Sequence, residues 1–279
     1  MTLEPTAVVS VQWLRLRLGQ PGLVVIDCRF SLSDPGLGES HYQQGHIPGA
    51  YYLHLNRDLS GPVETHGGRH PLPDPITLGE TLTKCGINAD TWVVAYDDSR
   101  SCFAARLWWL LRWLGHDQVA VLDGGYQAYC QAQLPISQEI PVPQTGYFQP
   151  RPRFDWVVDY QFVKDYQPDP NRVLIDSREP ARYRGEIEPI DPIAGHIPGA
   201  VNYPWTEITD PQGFVKSVPE LQAHWQQLDD SAGLVVYCGS GVTACVNLLG
   251  LELAGRPGAK LYAGSWSDWC SMSFKSETV

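Results

Sequence analysis

No basic run interrupts this 279-residue chain, and no apolar run approaches the roughly 20 residues that a membrane-spanning helix needs. The 31 acidic residues outnumber the 20 basic ones, leaving a formal net charge of −11. A field of that sign repels nucleic-acid backbones and anionic membrane surfaces, so neither is an expected partner. An anionic substrate would need cations gathered locally. The opening residues, Met1-Thr2-Leu3-Glu4-Pro5, show no basic patch followed by an apolar stretch, so no secretory signal is expected. The seven cysteines are odd in number and lack framework spacing, which excludes a disulfide scaffold and fits reduced thiols in a cytoplasm.

What is present is aromatic weight and repetition. Ten Trp and thirteen Tyr, in a chain that is 43% hydrophobic and 18% charged, suffice for two well-filled cores. Gly45-His46-Ile47-Pro48-Gly49-Ala50 recurs letter for letter as Gly195-His196-Ile197-Pro198-Gly199-Ala200, about 150 residues further on. Upstream, Val25-Ile26-Asp27 matches Leu174-Ile175-Asp176; downstream, Val93-Val94-Ala95-Tyr96 matches Leu234-Val235-Val236-Tyr237. Matching order at near-constant offset marks a duplicated domain. Pro135, Pro141, Pro143, Pro150 and Pro152 exclude helix and central strand between the copies, so 135–155 reads as an extended linker. Domain one is then 1–134 and domain two 156–279.

Each copy alternates short β-branched runs (Leu23–Ile26, Trp92–Tyr96, Val119–Leu122; Arg172–Ile175, Leu234–Tyr237, Lys260–Tyr262) with helical stretches (Ala104–Leu114; Val242–Leu253). The expected fold is two α/β domains, each a mainly parallel sheet sandwiched by helices, with ligands at the carboxyl ends of the strands.

The strand ending at Tyr237 runs straight into Cys238-Gly239-Ser240-Gly241-Val242-Thr243 and then a helix. Two glycines allow a tight turn that aims successive N–H groups inward, and the helix terminus adds unpaired donors and a positive dipole end. Such a cradle favours a charged, nucleophilic thiolate. A packing cysteine in an ordinary turn is the plainer alternative. A phosphatase would also use a loop cysteine, but it needs an Arg six positions later to grip phosphate, and this chain has Ala244 there. At the position of Cys238 the first copy carries Asp97, which cannot hold a sulfur atom, and its loop Asp97-Asp98-Ser99-Arg100-Ser101 lacks both glycines.

The repeated Gly-His-Ile-Pro-Gly-Ala, the Asp176-Ser177-Arg178 after a strand and the Cys238–Thr243 loop together resemble the tandem rhodanese family of sulfurtransferases over essentially the whole chain. The loop is similar to the version found in members that use 3-mercaptopyruvate rather than thiosulfate. The resemblance implies a persulfide on Cys238, cradled by Gly239, Ser240, Gly241, Val242 and Thr243, with a catalytically silent first domain. It implies a substrate-binding role for Arg182, a proton-handling pair of Ser240 and His70, and pocket aromatics at Phe30, Phe103 and Trp205. The donor would be a small sulfur-bearing anion, and the acceptor a thiol, cyanide or a thioredoxin-like dithiol. Two positions depart from the family pattern. Ile190 follows Glu188-Pro189 where a second Arg is expected, leaving Cys238 short of cations, and His54 stands where an acid would orient His70.

No organic cofactor is expected. His41, His46, His54, His66 and His70 scatter over loops rather than at helical metal-pair spacing, so no metal site is expected either. A second function class stays open: a persulfide carrier or redox-sensing module that uses Cys238 without turnover.

Overall fold

The computed structural model describes residues 7–165, 172–229 and 233–273. They form two compact units. The first takes in Met1–Ser60, Pro73–Pro152 and Thr209–Val215; the second takes in Gly61–Leu72, Arg153–Ile208 and Lys216–Val279.

In the first unit β1 (Val8–Val9), β2 (Leu23–Asp27), β3 (Tyr51–Tyr52), β4 (Trp92–Tyr96) and β5 (Val119–Leu122) make a five-stranded sheet in the order β1-β5-β4-β2-β3. In the second, β6 (Val157–Val158), β7 (Arg172–Asp176), β8 (Val201–Asn202), β9 (Gly233–Tyr237) and β10 (Lys260–Tyr262) repeat that order as β6-β10-β9-β7-β8. Every pairing in both sheets is parallel. The central strands are continuous apolar runs, as burial on both faces requires. The two-residue strands β1, β3, β6 and β8 escape sequence patterning because they are too short to show a period.

Helices connect the strands: α1 (Val11–Arg15), α2 (Leu37–Gln44), α3 (Pro75–Lys84), α4 (Ala104–Trp113) and α5 (Gly125–Gln131), then α6 (Tyr160–Lys164), α7 (Pro180–Tyr183), α8 (Val218–Trp225), α9 (Ala244–Leu253) and α10 (Ser265–Ser273). Their starts are written in the sequence. Asp74 accepts the N–H groups of Ile76 and Thr77, with Pro75 at the first helical position. Ser217 and Glu220 form a capping box on α8. The helices α4 and α9 occupy matching places and are apolar on nearly every face, so both are buried almost throughout.

The letter-for-letter repeat has a structural cause. In the first unit Tyr42 stacks on His46 with ring centroids 4.0 Å apart, His46 Nδ1 bonds the Tyr42 carbonyl at 2.8 Å, and Tyr42 O–H donates to the Ala50 carbonyl at 2.7 Å. In the second, Tyr183 stacks on His196 at 3.9 Å and makes the same two bonds at 2.8 and 2.6 Å. Below each turn lies a buried ion pair, Asp27–Arg29 or Asp176–Arg178, whose Arg also donates to the carbonyl of Gly45 or Gly195. The tyrosine ending the next strand, Tyr96 or Tyr237, accepts the N–H of Ile47 or Ile197. These buried polar groups are partnered, and the motif reads as turn architecture in both copies.

The proline-rich segment is extended but docked. Ser137 exchanges both backbone hydrogen bonds with His46, the Gly146 N–H donates to the Thr83 carbonyl, and that of Arg151 to the Leu114 carbonyl. The backbone groups of Ser137, Gly146 and Arg151 thus find partners on the first unit.

Each repeat also contributes a segment to the other unit. Thr209–Val215 is held in the first unit by Arg100, which donates to Thr209 Oγ1 and its carbonyl at 2.9 Å, and by Asp123, which accepts the Val215 N–H at 2.8 Å. Gly61–Leu72 is held in the second unit at the start of α10. There Asp268 accepts the Gly67 N–H at 2.7 Å, Ser267 Oγ accepts that of Arg69 at 3.2 Å, and His66 bonds Ser271 at 2.9 Å. Gly68 has φ +84°, and a Cβ there would lie 2.4 Å from the Gly264 carbonyl oxygen, so the approach requires glycine.

Candidate active site

Cys238 follows the last residue of β9 and precedes α9 by five loop residues. Its side chain is buried at 1% exposure. The start of α10 fixes the loop from below. Ser265 Oγ accepts the Cys238 N–H at 3.1 Å, and the N–H groups of Trp266 and Ser267 donate to the Cys238 and Gly239 carbonyls at 3.0 and 2.9 Å. Gly241 takes φ +76°, where an added Cβ would sit 2.3 Å from the Ala263 carbonyl oxygen.

The first unit shows what such a loop holds. Asp97 follows β4 as Cys238 follows β9, and its carboxylate folds back into its own loop. It accepts the N–H groups of Ser99 and Ser101 on one oxygen and of Phe103 and Ala104 on the other, at 2.8–3.0 Å. Burial pushes the Asp97 carboxyl up while these backbone bonds pull it down, and the net direction is up. The turn forms without glycine: Arg100 and Ser101 adopt φ +58° and +66°. That strain, of order 1–2 kcal/mol per residue, is offset by four hydrogen bonds to one buried anion. Truncation to alanine strands those donors. Asp97→Ala is expected to cost about 3–5 kcal/mol, at roughly 1–3 kcal/mol per abandoned buried donor with partial relaxation. Chemical denaturation checks this; a loss under 1 kcal/mol would count against the cradle.

Around Cys238 the chain gathers groups from four segments. His70 Nδ1 and Ser240 Oγ lie 2.8 Å apart, and both side chains are buried. The position of Gly239 faces two guanidiniums. A Cβ there would be 3.2 Å from Arg69 Nη2 and 3.5 and 3.7 Å from the two Nη atoms of Arg182. The expectation that Ile190 leaves this loop short of cations is therefore corrected: Arg69, delivered by the same segment as His70, stands beside Arg182. The isoleucine itself is 48% exposed. Sequence reading missed Arg69, although its place directly before His70 was a usable signal.

Carboxylates hold both arginines. Arg182 Nη2 bonds Glu188 Oε1 at 2.6 Å and Asp191 Oδ2 at 3.2 Å, while Arg69 pairs with the other oxygen of Asp191. Burial would raise Glu188, but bonds from Arg182 and the backbone N–H groups of Asp191 and Ile190 hold its carboxyl below the usual range. For Asp191 burial wins over its two arginines, and its carboxyl is pushed up. Arg178 is committed elsewhere: bidentate to Asp176, with Glu188 at 3.2 Å.

The remaining candidates divide between the units. Phe30 and Phe103 pack edge to face at 5.4 Å in the first unit. Trp205, in the second, donates Nε1–H to Glu179 Oε1 at 3.1 Å. His54 belongs to the first unit. Its Nδ1 accepts the N–H groups of Asn56 and Arg57, which puts the proton on Nε2, 3.1 Å from the Pro35 carbonyl. Burial and then Arg57 lower its basicity. Among the described residues no group of three or more His, Cys, Asp or Glu side chains has the arrangement of a metal site.

Comparison with known proteins agrees with this architecture. The family described as "Rhodanese-like domain" matches residues 10–132 and 159–272. A Pseudomonas aeruginosa protein named "Probable 3-mercaptopyruvate sulfurtransferase" is 46% identical over 274 residues, covering 96% of each chain. The thiosulfate sulfurtransferase of Mus musculus is 34% identical over 276 residues, covering 94% of this chain and 91% of its own. Among solved structures, SseA from Escherichia coli, described with the fold and mechanism of 3-mercaptopyruvate sulfurtransferases, superposes with TM-score 0.81 at 33% identity. That match covers 94% of this chain and all of the other. The chain belongs to the rhodanese family and carries two rhodanese-like domains in tandem.

Proposed function

We propose that the protein is a sulfurtransferase that carries one sulfur atom as a persulfide on Cys238, taken from 3-mercaptopyruvate in preference to thiosulfate. The observation that carries this reading is the pair of matching loops. The first copy wraps a buried anion in four N–H groups, and the second puts a cysteine where that anion's residue stands. A persulfide anion would be stabilised there as an oxyanion is in an oxyanion hole.

With mercaptopyruvate, the Cys238 thiolate attacks the donor's thiol sulfur. The S–S bond forms as the C–S bond breaks, and its electron pair leaves on carbon as the enolate of pyruvate, which takes a proton. With thiosulfate, the thiolate attacks the outer sulfur and the S–S electron pair departs with sulfite. An acceptor (a thiol, cyanide or a thioredoxin-like dithiol) then attacks the outer persulfide sulfur and restores the thiolate. The kinetics are ping-pong. Arg69 and Arg182 bind the donor's anionic end, Arg182 as a planar fork. Ser240 and His70 move the proton.

The first domain, 1–134 with linker 135–155, holds no persulfide in this scheme because Asp97 fills its own cradle; 156–279 holds Cys238, and the 61–72 segment of the first repeat adds Arg69 and His70. The cytoplasm is the expected compartment, supported by seven cysteines of which none is joined in a disulfide. Among the described residues no helix is long and apolar enough to cross a membrane.

Only the mercaptopyruvate route needs a proton delivered to its leaving group. His70→Ala is therefore expected to lower kcat with mercaptopyruvate by about a hundredfold and with thiosulfate by much less. Steady-state assays of both donors with cyanide test the function and this split together. Persulfide formation without turnover on either donor would favour a carrier; equal losses for both donors in the variant would remove His70 from proton transfer.

A further inference from the structure

The arginines beside Gly239 are not equivalent to two free cations, because the chain supplies their counter-ions. Arg178 is 1% exposed and fully engaged by Asp176, Glu188 and the Gly195 carbonyl, so it offers nothing to a ligand. Glu188 reaches Arg182 alone of the two guanidiniums facing Gly239. Asp191 touches both, one oxygen on Arg69 and the other on Arg182, and its side chain is only 2% exposed. It yokes two side chains that start 113 positions apart in the sequence, on the 61–72 segment and on α7.

Resting on the sulfurtransferase reading above, we propose that Asp191 determines the charge of donor the site accepts: by bridging Arg69 and Arg182 it weakens the positive field they present, which costs a dianion more than a monoanion. A buried carboxylate exerts its field through protein rather than water. At a separation of several ångströms and an effective dielectric between bulk water and dry protein, one charge changes affinity by about tenfold for each unit of donor charge. Mercaptopyruvate presents one carboxylate, whereas thiosulfate carries two charges. Both donors meet the same arginines, so the carboxylate beneath them discriminates by charge alone. Asp191 acts through Arg69 and Arg182 and is a positioning and specificity-determining residue; it need not touch the donor.

The test compares kcat and KM for both donors, with cyanide as acceptor, in the full-length wild type, Asp191→Asn and Arg69→Gln. Asp191→Asn keeps the side-chain shape and removes the charge. It is expected to move the ratio of kcat/KM for thiosulfate over mercaptopyruvate upward by about tenfold, chiefly through KM, with kcat changed much less. Arg69→Gln removes a cation and is expected to move the same ratio downward by a similar factor. A ratio within twofold of wild type in folded Asp191→Asn overturns the proposal, whatever Arg69→Gln does. A partly misfolded sample lowers both donors together and leaves the ratio intact, and if Asp191→Asn does not fold, an unchanged ratio in Arg69→Gln decides against it. Wild type inactive with both donors would instead overturn the sulfurtransferase reading and this assignment with it; wild type active with an unmoved ratio overturns the assignment alone.

Discussion

Replacing Cys238 by serine is expected to lower sulfur transfer by on the order of a thousandfold or more with either donor, while leaving the fold intact. A hydroxyl in the same cradle is a far weaker nucleophile than a thiolate, and oxygen cannot become a persulfide. The substitution is nearly isosteric, and the loop is held through backbone bonds to Ser265, Trp266 and Ser267 that do not involve the side chain. Cys28, Cys85, Cys102, Cys130, Cys245 and Cys270 should each tolerate serine with activity retained. Burial pushes the Cys85 thiol up to about 12 and Cys270 to about 11, so neither is ionised near neutral pH. Steady-state rates in the six single variants, with circular dichroism as a folding control, check both halves. Activity within tenfold of wild type in Cys238→Ser would move the nucleophile elsewhere.

A second large effect is expected from Gly241→Ala. The backbone there is left-handed at φ +76°, and the new Cβ would lie 2.3 Å from the Ala263 carbonyl oxygen, which is backbone and has little room to yield. Left-handed strain of about 1–2 kcal/mol adds to the clash, for a total of roughly 3–5 kcal/mol. Relief comes only by lifting the loop off the segment between β10 and α10, and that misaims the N–H groups. Both stability and activity should fall: Tm by about ten degrees, and transfer by at least tenfold in the folded fraction. Gly239→Ala is the informative contrast. Its Cβ meets only the ends of Arg69 and Arg182, which are flexible side chains. That variant should fold normally and raise KM for the donor.

The duplication, the parallel sheets and the cysteine loop were legible in the sequence because each rests on local rules. Apolar runs of four or five residues announce β2, β4, β5, β7 and β9, and a Gly-Ser-Gly after a strand announces a turn that gathers amides. The Gly-His-Ile-Pro-Gly-Ala repeat was legible as duplication, and its reason appears only in three dimensions, where a tyrosine from α2 or α7 stacks on its histidine. What stayed hidden depends on contacts far apart in the chain. Arg69 lies among first-copy residues and is brought beside Gly239 by docking of Gly61–Leu72 on α10. Asp191 carries no signal in the sequence; only the fold brings an arginine to each of its oxygens. The left-handed turn of the first-copy loop carries no local signal. Glycine is the usual marker of a left-handed backbone, but Arg100 and Ser101 adopt it because the Asp97 carboxylate supplies hydrogen bonds that outweigh the strain.

The proposed mechanism rests the transferred sulfur on Cys238 between donor and acceptor. Its most direct test loads the purified protein with mercaptopyruvate, omits any acceptor, and maps the added mass by proteolysis and mass spectrometry under non-reducing conditions. One extra sulfur per chain is expected, confined to the peptide containing Cys238 and lost when cyanide is added. Extra sulfur on another cysteine, or transfer to cyanide with no modified Cys238 at any time, would contradict it.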